Sequence, residues 1–144
     1  MSRFAVAVVA AVCSLCLAQS SAAQNQERYK VRLATVPSDG GMRDSVAGTG
    51  TASAVLAGAK LTISGTFAGL RSPATVARLH LGPVRGVRGP SVAEITVSKA
   101  MSGTLAGSID LTADQLQSLR KGQLYLQISS EKAPDGNLWG WVLR

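Results

Sequence analysis

The sequence predicts an all-β fold, an antiparallel β-sandwich with Greek-key connections and one short connecting helix. Short runs of alternating apolar and polar residues recur from Tyr29 to the C-terminus, and each run ends at glycine or proline. A single stretch among them has helical spacing instead. Seven or more short strands at such intervals are typical of a sandwich.

The strands are predicted in the following order. In YKVRLAT, Tyr29, Val31 and Leu33 share one face, and Lys30 and Arg32 share the other. A loop rich in turn residues follows at residues 36–45. The clearest alternation is in KLTISGTFAGL, and the remaining strands are GTASAVLAG, ATVARLHL, SVAEITVS, SGTLAGSID, QLYLQISS and NLWGWVL.

The short helix is predicted from Ala113 to Lys121. Thr112 can cap its N-terminus, because Gln115 follows three residues later and completes a capping box. Gly122 is suited to end the helix.

The N-terminus has the pattern of an export signal. Arg3 supplies a positive start, Phe4 to Leu17 is an uncharged apolar run, and the small residues Ser21 to Ala23 suit cleavage. We therefore expect a signal peptide at residues 1–23 and one exported domain, periplasmic or secreted, at residues 24–144. The apolar run is shorter than a membrane span, and a retained anchor is the alternative. No second apolar run of membrane length follows, so we expect no transmembrane segment after cleavage.

Composition limits the stabilising chemistry and the partners. Cys13 and Cys16 both lie inside the predicted signal, so the exported domain would have no disulfide. The formal charge is +7, and about +6 remains once Arg3 is removed. A basic exported protein can meet an anionic glycan, a lipid headgroup or a protein partner, and we expect no nucleic-acid partner. A charge that serves only solubility is the alternative.

The candidate binding residues begin with a basic stretch. Alternation places Arg78 and His80 on one face of a strand, and a glycine-rich connection carries Arg85 and Arg88. Two such arginines can bind a phosphate, sulfate or carboxylate. The alternative is a solvated rim in which Arg78 or His80 pairs with Glu94.

Two tryptophans complete the candidate set. Alternation places Leu138 and Val142 on the core face of the last strand, and Trp139 and Trp141 on the outer face. Exposed aromatic rings near a basic loop can stack on sugars, insert at a membrane interface or contact a partner. Alternatively, the N-terminal segment or the helix covers the two rings, which then pack against Tyr29 or Leu116.

Two sequence blocks resemble the CHRD (chordin-type) domain family. In that family a strand carrying H-x-H precedes a turn of the type G-P-x-x-G-x-x-G-P, and this chain has R-L-H-L-G-P-V-R-G-V-R-G-P. His80 matches the second histidine, and Arg78 stands at the first. The glycine-proline framework is kept at Gly82, Pro83, Gly86, Gly89 and Pro90.

The second block departs further from the family. It begins at Leu124 and resembles L-Y-V-N-V-H-T followed by G-G-E-I-R-G. Ser129 and Ser130 replace the His-Thr pair, Asn137 stands where glutamate is usual, and Trp139 where arginine is usual. The resemblance covers roughly Tyr29 to Leu143. It implies a divergent single-domain member of a family with extracellular binding or structural roles.

Catalytic patterns are not evident. His80 is the single histidine, whereas a transition-metal site usually needs about three protein ligands, so we expect no metal, no cofactor and no enzyme activity. The leading hypothesis is an exported non-catalytic binding or structural module whose candidate residues are Arg78, His80, Arg85, Arg88, Trp139 and Trp141. A metal-binding, superoxide-dismutase-like enzyme is one alternative. A structural domain that assembles with itself through the tryptophan face is another.

Overall fold

The computed structural model describes residues 25–38 and 40–144, so the predicted signal peptide lies outside the described residues. The described chain forms eight strands and one helix. These are β1 Glu27–Thr35, β2 Thr49–Ala57, β3 Lys60–Ala68, β4 Ala74–Leu81, β5 Ser91–Val97, β6 Gly103–Asp110, α1 Ala113–Arg120, β7 Leu124–Ser130 and β8 Ala133–Leu143. Each predicted strand and the predicted helix are confirmed.

The strands form a closed antiparallel barrel in the order β1-β2-β3-β6-β5-β4-β7-β8, with β8 paired to β1. The predicted sandwich is therefore wrong in its closure. Pairing at one junction is short, since β5 meets β6 at Thr96–Ala106 and Val97–Leu105. Opening the β5–β6 and β1–β8 junctions would give two four-stranded sheets. Alternation in a sequence shows which side chains face the core, but it does not show that the sheet edges pair.

The connection between β3 and β4 is of the Greek-key type. β3 lies beside β6 rather than β4, so the chain crosses the end of the barrel before it returns through β4, β5 and β6. One end of the barrel therefore carries the β3–β4 and β5–β6 connections. The opposite end carries the β4–β5 connection, which contains the predicted basic stretch.

The core fills the inside of the barrel and follows the predicted alternation. Tyr29, Val31 and Leu33 on β1 are buried, whereas Lys30 and Arg32 are exposed. Every strand contributes apolar side chains to one continuous cluster, which includes Leu56, Ile63, Leu79, Ile95, Leu105, Leu126 and Val142. Burial of this apolar surface is the main stabilising term for a domain without disulfides in its described part.

The short helix has the predicted cap. The Gln115 backbone N–H donates to Thr112 Oγ1 at 3.3 Å, and the Thr112 N–H donates to Gln115 Oε1 at 3.0 Å. The helix ends at Arg120, Lys121 is its C-cap, and Gly122 has a φ of +71°. No helix within the described residues is long and apolar enough to cross a membrane.

A buried asparagine joins two connections at one end of the barrel. Asn137 is 0% exposed, its Nδ2 donates to Ser130 Oγ at 2.9 Å, and its Oδ1 accepts from the Ala47 N–H at 3.0 Å. Its backbone carbonyl also accepts from the Val36 N–H at 3.0 Å. The replacement of the family's usual glutamate thus gives a neutral side chain whose burial is compensated by hydrogen bonds.

Candidate functional site

The segment Gly82–Pro90, the basic loop, folds back over the outside of the barrel. Its two ends are fixed by backbone hydrogen bonds, from the Gly82 N–H to the Gln123 carbonyl at 2.9 Å and from the Leu81 N–H to the Pro90 carbonyl at 3.0 Å. At its tip the Val87 N–H donates to the Val84 carbonyl at 3.2 Å. The loop is therefore a braced structure rather than a loosely attached connection.

Side chains from β4 and β7 hold the loop at Gly89. The Gly89 N–H donates to the Tyr125 hydroxyl oxygen at 3.0 Å, and that hydroxyl lies 3.3 Å from the Gly89 carbonyl, to which it donates. His80 Nδ1 lies 3.0 Å from the same carbonyl. Because a carbonyl only accepts, this contact assigns a proton to Nδ1.

Glycine is needed where the loop meets the strand. A Cβ on Gly89 would overlap the Leu81 carbonyl, and a Cβ on Gly82 would collide with the Val87 carbonyl and approach the Trp141 ring at 3.0 Å. The glycine-proline framework therefore permits the close approach that positions the arginines.

Four aromatic rings lie side by side beneath the loop. His80 stacks on Tyr125 with ring centroids 4.9 Å apart and an interplanar angle of 11°. Trp141 lies 4.7 Å from Tyr125, and Trp139 lies 5.7 Å from Tyr125 and 5.7 Å from Trp141. The tryptophans are on the outer face, as predicted, but half-buried. Both rings pack against Tyr125, a contact that the alternative hypothesis with Tyr29 or Leu116 did not name.

One side of the basic loop borders an open groove on β4 and β7, which we call the polar groove. It has a volume of about 520 Å³, and its lining includes Arg78, His80, Arg88, Tyr125, Gln127 and Asp135. The Arg88 Nη1 donates to the Asp135 carbonyl at 3.0 Å, and Gln127 Nε2 donates to the same carbonyl at 3.2 Å. This groove presents several hydrogen-bond donors beside one carboxylate.

The other side of the loop borders a second open groove, on β1 and β8, which we call the basic groove. Its volume is about 370 Å³, and its lining includes Lys30, Arg32, Arg85, Trp139, Trp141 and Arg144. The lining consists of four cationic side chains, two indoles and small or apolar residues, and none of these described residues is an aspartate or glutamate. An anion is the ligand that such a surface complements.

The structure therefore divides the predicted candidate residues between two neighbouring grooves. Arg78, His80 and Arg88 come together in the polar groove, whereas Arg85 lies with the two tryptophans in the basic groove. The sequence interpretation missed Tyr125 and Gln127, although outward alternation on β7 marks both. It also assigned Lys30 and Arg32 to an outer face without connecting them to the tryptophans.

The alternative partner of Arg78 is present but weakly engaged. Arg78 Nη2 lies 3.9 Å from Glu94 Oε2 across β4 and β5, with side chains 46% and 71% exposed. An exposed pair at this distance contributes little, about 0 to 1 kcal/mol. The Arg78 guanidinium can thus still turn toward a ligand in the polar groove.

Metal ligation has little support in the side chains present. Within residues 25–38 and 40–144, no group of three or more histidine, cysteine, aspartate or glutamate side chains is placed to hold a metal ion. The family pattern has histidine at the positions of Arg78, His80 and Ser129, and all three residues line the polar groove. At two of these positions the chain has a guanidinium and a hydroxyl, which donate hydrogen bonds, where an imidazole could ligate a metal.

Glu27 joins the start of β1 to the helix and to the C-terminus. It accepts hydrogen bonds from the Tyr29 hydroxyl at 2.6 Å and from Arg120 at 3.0 Å, and it pairs with Arg144. These hydrogen bonds, that of Tyr29 foremost, lower the pKa of Glu27 to about 2. Burial, and then its bond to Glu27, raises the pKa of Tyr29. The carboxylate of Glu27 thus compensates the positive charge of Arg144 but not the charges of the other cations in the basic groove.

Comparison with known proteins identifies a family. A family model described as CHRD domain matches residues 23–142, nearly the whole chain. No curated protein and no solved structure matches the sequence.

Proposed function

Since the chain belongs to the CHRD domain family, we propose that it is an exported module that binds an anionic ligand and catalyses no reaction. The family favours a non-catalytic, extracellular type of module over an enzyme. The proposed binding surface consists of the two grooves on either side of the basic loop. Its contacts are Arg78, His80, Arg85, Arg88, Trp139 and Trp141.

The observation that carries this proposal is the placement of the two loop arginines. The basic loop is held by Tyr125, His80 and Gln123, so Arg85 and Arg88 extend from a fixed backbone into neighbouring grooves. A ligand that binds there does not have to order the loop first, which lowers the entropic cost of association. The guanidinium fork matches the paired oxygens of carboxylate, sulfate and phosphate groups.

The single imidazole supports binding rather than catalysis. His80 Nδ1 is engaged with the Gly89 carbonyl, and the ring is stacked on Tyr125. Its contacts therefore serve to hold the loop in place. A general acid or base must lie within hydrogen-bond reach of the reacting proton, and a nucleophile needs an adjacent base. The described contacts of His80 are with the Gly89 carbonyl and the Tyr125 ring, and these contacts favour a binding module over an enzyme.

Chromatography on immobilised dextran sulfate tests the proposal. We expect the double variant Arg85→Glu, Arg88→Glu to elute at a lower salt concentration than the wild-type protein. The matched control is Arg71→Glu, Lys99→Glu, which changes the net charge equally. Its residues lie at the far end of the barrel, about 23 Å away along β4. Equal elution of the two double variants would show that only net charge matters and would contradict a localised site.

A further inference from the structure

The basic groove has the composition of a site for an acidic sugar. We propose that it binds a uronic acid residue of an acidic polysaccharide. The sugar ring would lie against Trp139 and Trp141, and its carboxylate would meet Lys30, Arg32 and Arg85. This inference rests on the proposed function, because it names the ligand class and places it in one of the two grooves.

The charge of the basic groove is the first argument. Lys30 and Arg32 both lie on the outer face of β1, two residues apart, so their Cα atoms are about 7 Å apart. Arg85 reaches the same groove from the loop. Among the described residues, no ion pair and no side-chain hydrogen bond engages these three cations. Uncompensated cations this close together repel one another, and a bound carboxylate relieves the repulsion.

The tryptophan pair is the second argument. Trp139 and Trp141 meet edge to face, with an interplanar angle of 66°, and Tyr125 packs against both rings. Their positions are thus fixed, and the half-exposed rings line the basic groove together with its cations. Pyranose rings have one apolar face of C–H groups and a polar rim, so they suit an aromatic surface surrounded by donors.

The shape of the groove favours a sugar over a lipid. Its indole rings are half-buried in the side of the barrel and do not project from it. On the basic loop, the exposed apolar side chains are instead Val84 and Val87 at its tip, which are 55% and 47% exposed. Insertion into a membrane would therefore depend on these two valines, whereas binding of a sugar would depend on the two tryptophans.

Isothermal titration calorimetry with oligogalacturonate tests the proposal. The neutral control ligand is the methyl-esterified oligomer, which keeps the rings and loses the charge. We expect binding of the acidic oligomer alone. We expect about tenfold weaker binding by Lys30→Ala, Arg32→Ala, since the variant loses two charged contacts. Both residues are exposed, so the variant is expected to fold. The matched control, Arg71→Ala, Lys99→Ala, removes the same charge from exposed positions at the far end of the barrel and should bind normally.

Other outcomes separate this inference from the proposed function. Weaker binding by Arg78→Ala, Arg88→Ala together with normal binding by Lys30→Ala, Arg32→Ala would overturn the assignment to the basic groove and keep an anion-binding module. Binding to phosphatidylglycerol vesicles without binding to oligogalacturonate would overturn the sugar class, and Val84→Ser, Val87→Ser would then abolish it. Failure to bind oligogalacturonate, dextran sulfate and vesicles would overturn both proposals.

Discussion

Removing one hydroxyl group should loosen the basic loop without disturbing the rings beneath it. In Tyr125→Phe the stacking on His80 and the contacts with both tryptophans remain possible. The variant loses the two hydrogen bonds with Gly89, at 3.0 Å and 3.3 Å. At about 0.5 to 1.5 kcal/mol each, their loss destabilises the loop by about 1 to 3 kcal/mol. Tyr125 is 1% exposed, so water cannot readily replace the lost partner.

Two measurements check this prediction. For a domain of this size the melting temperature should fall by about 4 to 12 °C. Exchange of the Gly89 amide hydrogen should accelerate roughly 5- to 150-fold, because the local opening free energy falls by the same amount. The matched control is Tyr29→Phe, which loses a hydrogen bond to Glu27 and leaves the Gly89 amide unaffected. Wild-type melting together with unchanged Gly89 exchange in Tyr125→Phe would refute the bracing of the loop by Tyr125.

Three further predictions concern other parts of the fold. Because the pKa of Glu27 is lowered to about 2 from 4.5, its stabilising effect is present above pH 4.5 and is lost as the pH falls toward 2. The difference in melting temperature between the wild type and Glu27→Gln should therefore shrink over that range. A difference that stays constant would contradict this prediction. Asn137→Ala should lower the unfolding free energy in urea by about 2 to 4 kcal/mol, since it leaves buried polar groups unpaired; the exposed Asn25→Ala should have no effect. Gly89→Ala should displace the loop and reduce retention on dextran sulfate, whereas Gly41→Ala, where a Cβ meets nothing within 4 Å, should behave as the wild type. Normal retention of Gly89→Ala would show that the close approach at Leu81 is dispensable.

The strands and the helix could be predicted from the sequence because apolar alternation and capping residues are patterns of neighbouring residues. The alternation of Tyr29, Val31 and Leu33 places the inner face of β1 correctly, and the Thr112–Gln115 spacing identifies the helix start. The closure of the barrel is different. It depends on pairing between β1 and β8, which lie at opposite ends of the described chain, and alternation carries no information about that partner.

The candidate residues could be predicted individually, but not their grouping. Tyr125 lies on an outward-facing position of β7, where the alternation rule expects solvent, yet it is fully buried. The return of the basic loop over this strand and the rings of His80, Trp139 and Trp141 together account for its burial. The same fold of the loop separates Arg85 from Arg88, three residues away in the sequence, and directs them into different grooves.

Closure of the barrel has a consequence for how copies of this protein behave at high concentration. Each of the eight described strands has a hydrogen-bonded neighbour on both sides, so no strand within the described chain has a wholly unpaired edge that could template the addition of a foreign strand. The sequence has no cysteine beyond Cys16, so no disulfide restrains the barrel when it partly opens. In a partly opened copy, we expect aggregation to begin at the junction between β5 and β6, because its short pairing holds these two strand edges together least. Intact copies should contact one another through side chains rather than through strand edges.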